Sequence, residues 1–296
     1  MLPATQDWTQ PLDDSYGIVL IGTIVSALLH GICVVQAFNY FREYPHDKWI
    51  IKTIVVTTVM FDAIHLILVS TGLYHYLIRN FHTPQRLEYL TWTELIESLF
   101  VGINTATVQT FYAYRIFRLS SRNTLLCCFI MVLILAEMGS GVAWVTMSMK
   151  MQTWRQLLGL KSFTISITAL ACLTDVVIAS SLVSILHRSR TGFKRSDTMI
   201  KKLILLVIST GILTSLVAIA SLIAVFIAPE KMFYAAIYFS LGRLYTNSLL
   251  TTLNSRSEIR LASQSVTLGS SNHAQVTTLM LGVEEFKLEP SAGRKI

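Results

Sequence analysis

Seven long apolar stretches run through this chain, and the connections between them differ sharply in their basic residues. A stretch of about 20 residues spans a hydrocarbon core of roughly 30 Å as a helix. Water is absent there, so each crossing must satisfy its own backbone hydrogen bonds, which a helix does. The stretches are continuously apolar rather than alternating, so a membrane barrel is excluded. The spacing predicts spans at 16–41, 50–74, 90–111, 125–146, 163–186, 203–228 and 232–253. With 53% hydrophobic and only 14% charged residues, against about 25% charged in soluble proteins, no sizeable soluble domain is left. The expected fold is an all-α, polytopic seven-helix membrane bundle.

The loops set an orientation. One set carries Arg42, Lys48 and Lys52, then Arg115, Arg118 and Arg122, then Arg188, Arg190, Lys194, Arg195, Lys201 and Lys202, and finally Arg256 and Arg260. The alternate set carries only Arg79, Arg86, Lys150, Arg155, Lys161 and Lys231. The richer set belongs in the cytosol. Residues 1–15 are then extracytoplasmic, residues 16–253 form the membrane domain, and residues 254–296, rich in Ser and Thr, form a disordered cytosolic tail. The first span is expected to be retained, because Asp7, Asp13 and Asp14 precede it where a cleavable signal would need basic residues.

The net charge of +7 would suit nucleic acid in a soluble protein. Here the basic residues hug the span ends and no zinc-finger, RNP or basic-zipper pattern occurs. The expected partners are the bilayer and its anionic inner-leaflet lipids, met above all by Arg188, Arg190, Lys194, Arg195, Lys201 and Lys202. Ser196 is placed to cap the sixth helix, with Asp197 favourable to its dipole. The four cysteines, Cys33, Cys127, Cys128 and Cys172, lie in or beside spans with no metal-ligand spacing.

Ionisable groups at bilayer depth cost about 2.5–3.5 kcal/mol each even on the lenient insertion scale, so function is sought there. Asp62 and His65 lie mid-span two on one helix face; Glu137 is in span four, Asp175 in span five, and Arg243, with Asn247 a turn further, in span seven. In span three, Glu94, Glu97, Asn104, Thr105, Gln109 and Tyr112 fall within an arc of about 140° at 100° per residue. That arc should face the interior of the bundle. One reading is a polar cavity lined by Asp62, His65, Glu97, Asn104, Asp175, Arg243 and Asn247. The other is a structural network in which Arg243 neutralises Asp175 or Asp62. Small residues four apart, Gly22/Ser26, Ala27/Gly31 and Gly211/Ser215, predict close helix approach.

Residues 175–179, 187–198, 214–216 and 242–254, with weaker echoes at 62–65 and 109–120, resemble a large family of fungal membrane proteins, abundant in basidiomycetes and named as a domain of unknown function. The resemblance is densest over 163–256. It implies a seven-span integral membrane protein and supplies no catalytic residue or cofactor.

The layout is that of a receptor-like sensor of a small ligand, with its signalling partner unspecified. Against a G-protein-coupled receptor, span three ends in Tyr112-Ala113-Tyr114-Arg115 rather than an acidic-Arg-aromatic triplet, and span seven has no Asn-Pro-x-x-Tyr. A small-molecule or proton-coupled transporter and a structural membrane protein are the alternatives. An enzyme is not expected: no Gly-x-Ser-x-Gly or His-Glu-x-x-His occurs, and the intramembrane histidines are too few for a zinc site. No metal or cofactor is expected either. Span seven has no lysine for a retinal Schiff base. The sequence does not separate plasma membrane from endomembrane.

Overall fold

The computed structural model describes residues 16–80, 83–120, 122–189, 194–227 and 232–264. They form eight α-helices: α1 (Tyr16–Glu43), α2 (Trp49–Tyr74), α3 (Trp92–Leu119), α4 (Thr124–Ser148), the single turn α5 (Trp154–Leu157), α6 (Lys161–Arg188), α7 (Lys194–Ile227) and α8 (Phe233–Gln264). Apart from α5, each is 25 residues or longer. Tyr89 and Thr153 form an isolated antiparallel bridge, and no strand occurs among the described residues.

Among the described residues, five stretches are long and apolar enough to cross a membrane: Tyr16–Glu43, Trp49–Arg79, Thr124–Ser148, Trp154–Arg188 and Ile200–Ile227. Their outer faces stay apolar; Ile21, Leu28, Val132, Leu135 and Leu205 are all more than 60% exposed. A water-soluble helix would place polar residues there. The chain is an all-helical, multi-pass membrane protein. The two remaining long helices, α3 and α8, fall short in hydropathy because of the polar side chains they carry, and these side chains are turned inward.

The helices pack as a closed ring in the order α1, α2, α3, α4, α6, α7 and α8, with α8 returning to α1; α3 also reaches across to α6 and α8. The buried stripe of α2 shows why. Ile51, Val55, Thr58, Asp62, His65, Val69 and Leu73 are all buried and recur at steps of four and three, the spacing of one helix face. Asp62 and His65 therefore point inward by periodicity alone.

Both ends of the bundle are tied. At the end holding the α1 N-terminus, Tyr16 donates to the Leu87 carbonyl at 2.6 Å and Tyr76 to the Tyr89 carbonyl at 2.9 Å. At the opposite end, Asp47 accepts from Tyr40 at 3.0 Å and from Arg256 Nη2 at 2.6 Å, and the Arg256 guanidinium lies 4.2 Å from the Tyr44 ring centroid. Asn254 donates to the Gln36 carbonyl at 2.9 Å. These contacts hold α8 past residue 253, where the tail was expected to begin, and the helix runs on to Gln264. The rest of that expected tail, from 265 on, and the expected N-terminal segment, 1–15, lie outside the described residues.

Of the basic connection between α6 and α7, Arg188, Lys201 and Lys202 are exposed beside the small apolar cluster of Leu186, Ile200 and Leu203. Arg190 lies outside the described residues, as do the side chains of Lys194 and Arg195. The described helix begins at Lys194, so Ser196 sits in its first turn rather than at the expected cap.

The three small-residue pairs differ in use. A Cβ on Gly22 would come within 2.6 Å of the Ala236 Cα, and Ser26 Oγ donates to the Phe239 carbonyl at 3.0 Å. This is the close approach of α1 to α8. A Cβ on Gly211 would stand 3.4 Å from the Ala179 Cβ, in ordinary contact. Ala27 and Gly31 are exposed, and nothing lies within 4 Å of a Cβ on Gly31; this pair faces outward because it is displaced around α1 from the Gly22/Ser26 stripe. Gly22→Ala should therefore lower unfolding stability by about 1–3 kcal/mol, the usual cost of overpacking, whereas Gly31→Ala should leave it within about 0.5 kcal/mol. Reversible unfolding in mixed micelles reads the difference.

Candidate functional site

The largest fully buried side chain is that of Arg243 on α8. A guanidinium has only donors to offer and cannot be left bare at this depth. Nη1 donates to the Phe239 carbonyl one turn back at 3.0 Å and meets His65 Nδ1 at 2.5 Å; Nη2 donates to the Asp62 main-chain carbonyl at 3.0 Å. Because the guanidinium carries no lone pair, Nδ1 must be the acceptor. The imidazole proton then sits on Nε2, which lies against Glu97 Oε2 in a close ionic contact whose geometry does not form a hydrogen bond. The result is a chain from Arg243 on α8 through His65 on α2 to Glu97 on α3.

Arg243 thus touches neither the Asp62 nor the Asp175 carboxyl. Its side chain runs back along α8 toward Phe239, while Asp175 is served by Tyr245, which projects from a different face of the same helix.

A second cluster joins α2, α3 and α8. Asn104 Nδ2 donates to Asp62 Oδ1 at 3.0 Å and to Thr246 Oγ1 at 2.9 Å, and lies 3.3 Å from the Gly242 carbonyl. A Cβ on Gly242 would stand in ordinary contact with Asp62 Oδ1, at 3.4 Å. A third cluster joins α3, α4, α6 and α8. Gln109 Nε2 lies 3.2 Å from both Glu137 Oε2 and Asp175 Oδ1, and the Tyr245 hydroxyl donates to Asp175 Oδ2 at 2.5 Å.

A cavity of about 220 Å³ lies between α3, α4, α6, α7 and α8, with the α5 turn across its end. Its walls are mainly apolar and aromatic, including Met138, Trp144, Leu222, Tyr238 and Phe239. The carboxyl-bearing residues on it are Glu94, Glu97 and Glu137.

The expected polar cavity is therefore divided. Of Asp62, His65, Glu97, Asn104, Asp175, Arg243 and Asn247, only Glu97 lines the open space. Asp62, His65, Asn104, Asp175 and Arg243 are packed into hydrogen-bond clusters beside it. Asn247 joins none of the three: it is half-buried and its Oδ1 has no hydrogen-bond partner. The reason is geometric. Residues whose side chains satisfy one another fill the space between helices, and the open volume falls where bulky groups on several helices fail to meet. Glu94, Glu137, Tyr238 and Tyr245 are among the lining residues not included in the expected cavity. One signal was present: Tyr234, Tyr238, Leu241 and Tyr245 recur at helical spacing along α8, and all four line the cavity.

Residues 171–258 match the model of a family of unknown function, DUF6534. The matched segment carries Asp175, Arg243 and Tyr245, whereas Glu94, Glu97 and Glu137 precede it. No curated protein and no solved structure matches the chain.

Arg243→Lys keeps the charge but not the planar fork. One ammonium cannot reproduce bonds to the His65 ring and two separate carbonyls. The variant should lose at least about 2 kcal/mol of stability, and Arg243→Leu, which leaves the carboxyls without their cation, about 3–5 kcal/mol. Unfolding in mixed micelles checks both; a lysine variant as stable as the parent would contradict the fork geometry.

Proposed function

We propose that the chain is a seven-span, receptor-like sensor that binds a small molecule in this cavity, with its N-terminus outside and its C-terminus in the cytosol. The observation that carries the reading is the double position of Glu97. It lines the cavity and, through His65, it also joins the cluster held by Arg243. An occupant touching Glu97 acts on a group bound to α2 and α8 at once. Such an occupant biases the helix arrangement by as much as it prefers one arrangement over another.

Seven crossings are supported by the inward-facing polar side chains of α3 and α8, which explain why composition alone under-reads these two helices. The excess of basic residues at the connections joining α1 to α2, α3 to α4 and α6 to α7 supports the orientation. The exposed Arg188, Lys201 and Lys202 suit the anionic lipid of the inner leaflet. The role is one of binding rather than catalysis.

The test is a panel of small amines, alcohols and carboxylates, read by the melting of the purified full chain in lipid nanodiscs. At least one class should raise the melting temperature saturably. Gly141→Phe should abolish that rise, because Gly141 lines the cavity and nothing lies within 4 Å of a Cβ there. A panel that shifts the parent and the Gly141→Phe variant alike, or shifts neither, contradicts the reading.

A further inference from the structure

The carboxyl groups around the cavity and its neighbouring clusters are those of Asp62, Glu94, Glu97, Glu137 and Asp175. Against them stand the guanidinium of Arg243 and, at the rim, the ammonium of Lys161, which lies 5.3 Å from the Phe226 ring centroid. Arg243 borders Asp62 and is one histidine away from Glu97. Acid outnumbers base in a space walled mainly by apolar groups.

Glu94 and Glu97 sharpen the point. They stand one turn apart on the same face of α3, and both line the cavity. Glu97 is 5% exposed. Its Oε2 lies in ionic contact with His65 but has no hydrogen-bond partner, and among the described residues no group donates to the Glu94 carboxyl. A carboxylate oxygen without a donor in an apolar cavity is costly, and two neighbouring carboxylates repel. One positively charged donor at this spot would relieve both.

The walls fit the rest of such a ligand. Trp144, Tyr234 and Tyr238 all line the cavity, and aromatic faces attract cations. Tyr238 lines the same cavity as Glu97 and Glu137. At about 220 Å³, the space exceeds the roughly 150 Å³ engineered cavity that admits benzene. An anion would find only Lys161, at the rim. A bare metal ion would find too few ligands: no group of three His, Cys, Asp or Glu side chains suited to a metal occurs among the described residues.

We propose that the cavity takes a small organic cation, an aromatic or alkyl amine, whose ammonium rests on Glu97 and Glu94 and whose apolar body lies against Trp144 and Tyr238. This assignment rests on the cavity-binding reading above and adds the chemical class. The N–H groups of the ammonium supply the donors that the two carboxyls lack, as charge-assisted hydrogen bonds. A ligand held there contacts the carboxyl that His65 connects to Arg243.

The experiment uses the full chain in nanodiscs and matched probes: phenethylamine, its trimethylammonium form, the neutral phenethyl alcohol and the anionic hydrocinnamate. Calorimetry measures affinity, and melting is recorded without ligand. Phenethylamine should bind saturably, its trimethylammonium form, which has the charge but no N–H donor, more weakly, the alcohol at least tenfold more weakly than phenethylamine, and the carboxylate not at all. Glu97→Gln should weaken amine binding at least tenfold and leave alcohol binding unchanged, because the amide keeps the shape of the carboxyl beside His65 while removing its charge. Glu94→Gln, at a half-buried position, provides the second variant should Glu97→Gln fail to fold; it should weaken the amines in the same selective way.

Alcohol binding equal to amine binding overturns the proposal, as do amine affinities untouched by either glutamine variant. If the alcohol or the carboxylate binds best and Gly141→Phe abolishes that binding, the cavity reading stands and the cation assignment falls. If no probe binds, or every probe binds Gly141→Phe as it binds the parent, both fall.

Discussion

A guanidinium fully enclosed in the bundle must find all its partners in the protein, and Arg243 organises this bundle around that demand. Its acceptors come from three places: its own helix at Phe239, the α2 main chain at Asp62, and the His65 ring. Meeting all three sets the rotation and height of α2 against α8. The imidazole then carries the constraint to α3, since its remaining nitrogen lies against Glu97 Oε2. The tight places nearby serve the same approach. Gly22 and Ser26 let α1 close against the α8 turn that carries Ala236 and Phe239.

The chain is built inside out relative to a soluble bundle. Large apolar side chains of α1, α4 and α7 face outward, while Asn104, Gln109, Glu97 and Arg243 are buried. Lipid is as apolar as a leucine side chain, so burying leucine drives helix association only weakly in a membrane. Polar clusters and close small-residue contacts must supply specificity instead. The cavity interrupts this packing. It lies where aromatic groups of α4 and α8 and carboxyls of α3 and α4 surround space that no side chain fills, next to the cluster on which the arrangement of α2, α3 and α8 depends.

Much of this was legible from periodicity. The bounds of α1, α2, α4 and α6 follow from apolar length, and the inward arc of α3 follows from angular spacing, because a helix repeats at 3.6 residues whatever surrounds it. The partner of Arg243 was not legible. Choosing among Asp62, Asp175 and Glu97 depends on how far each helix is shifted along its neighbour, and spacing within one helix carries no such information. The same holds for Gly22 and Gly31. Both sit in small-residue pairs on one helix, yet only Gly22 meets another backbone. The cavity was least legible, since an unfilled volume between five long helices is a property of their joint packing and leaves in the sequence only a stripe of tyrosines on α8. The continuation of α8 past residue 253 was hidden for a related reason: its anchors, Tyr44 and Asp47, lie some two hundred residues earlier in the chain.

The central claim is that Glu97 and Arg243, which do not touch, act as one unit through His65. A double-mutant cycle on unfolding stability in mixed micelles, with Arg243→Leu, Glu97→Leu and the pair, tests it most directly. The account predicts that the double variant is less destabilised than the sum of the single ones, with a coupling of at least about 1 kcal/mol, because removing both ends leaves no uncompensated charge. Single effects that add to within about 0.5 kcal/mol, as for independent sites, would contradict it.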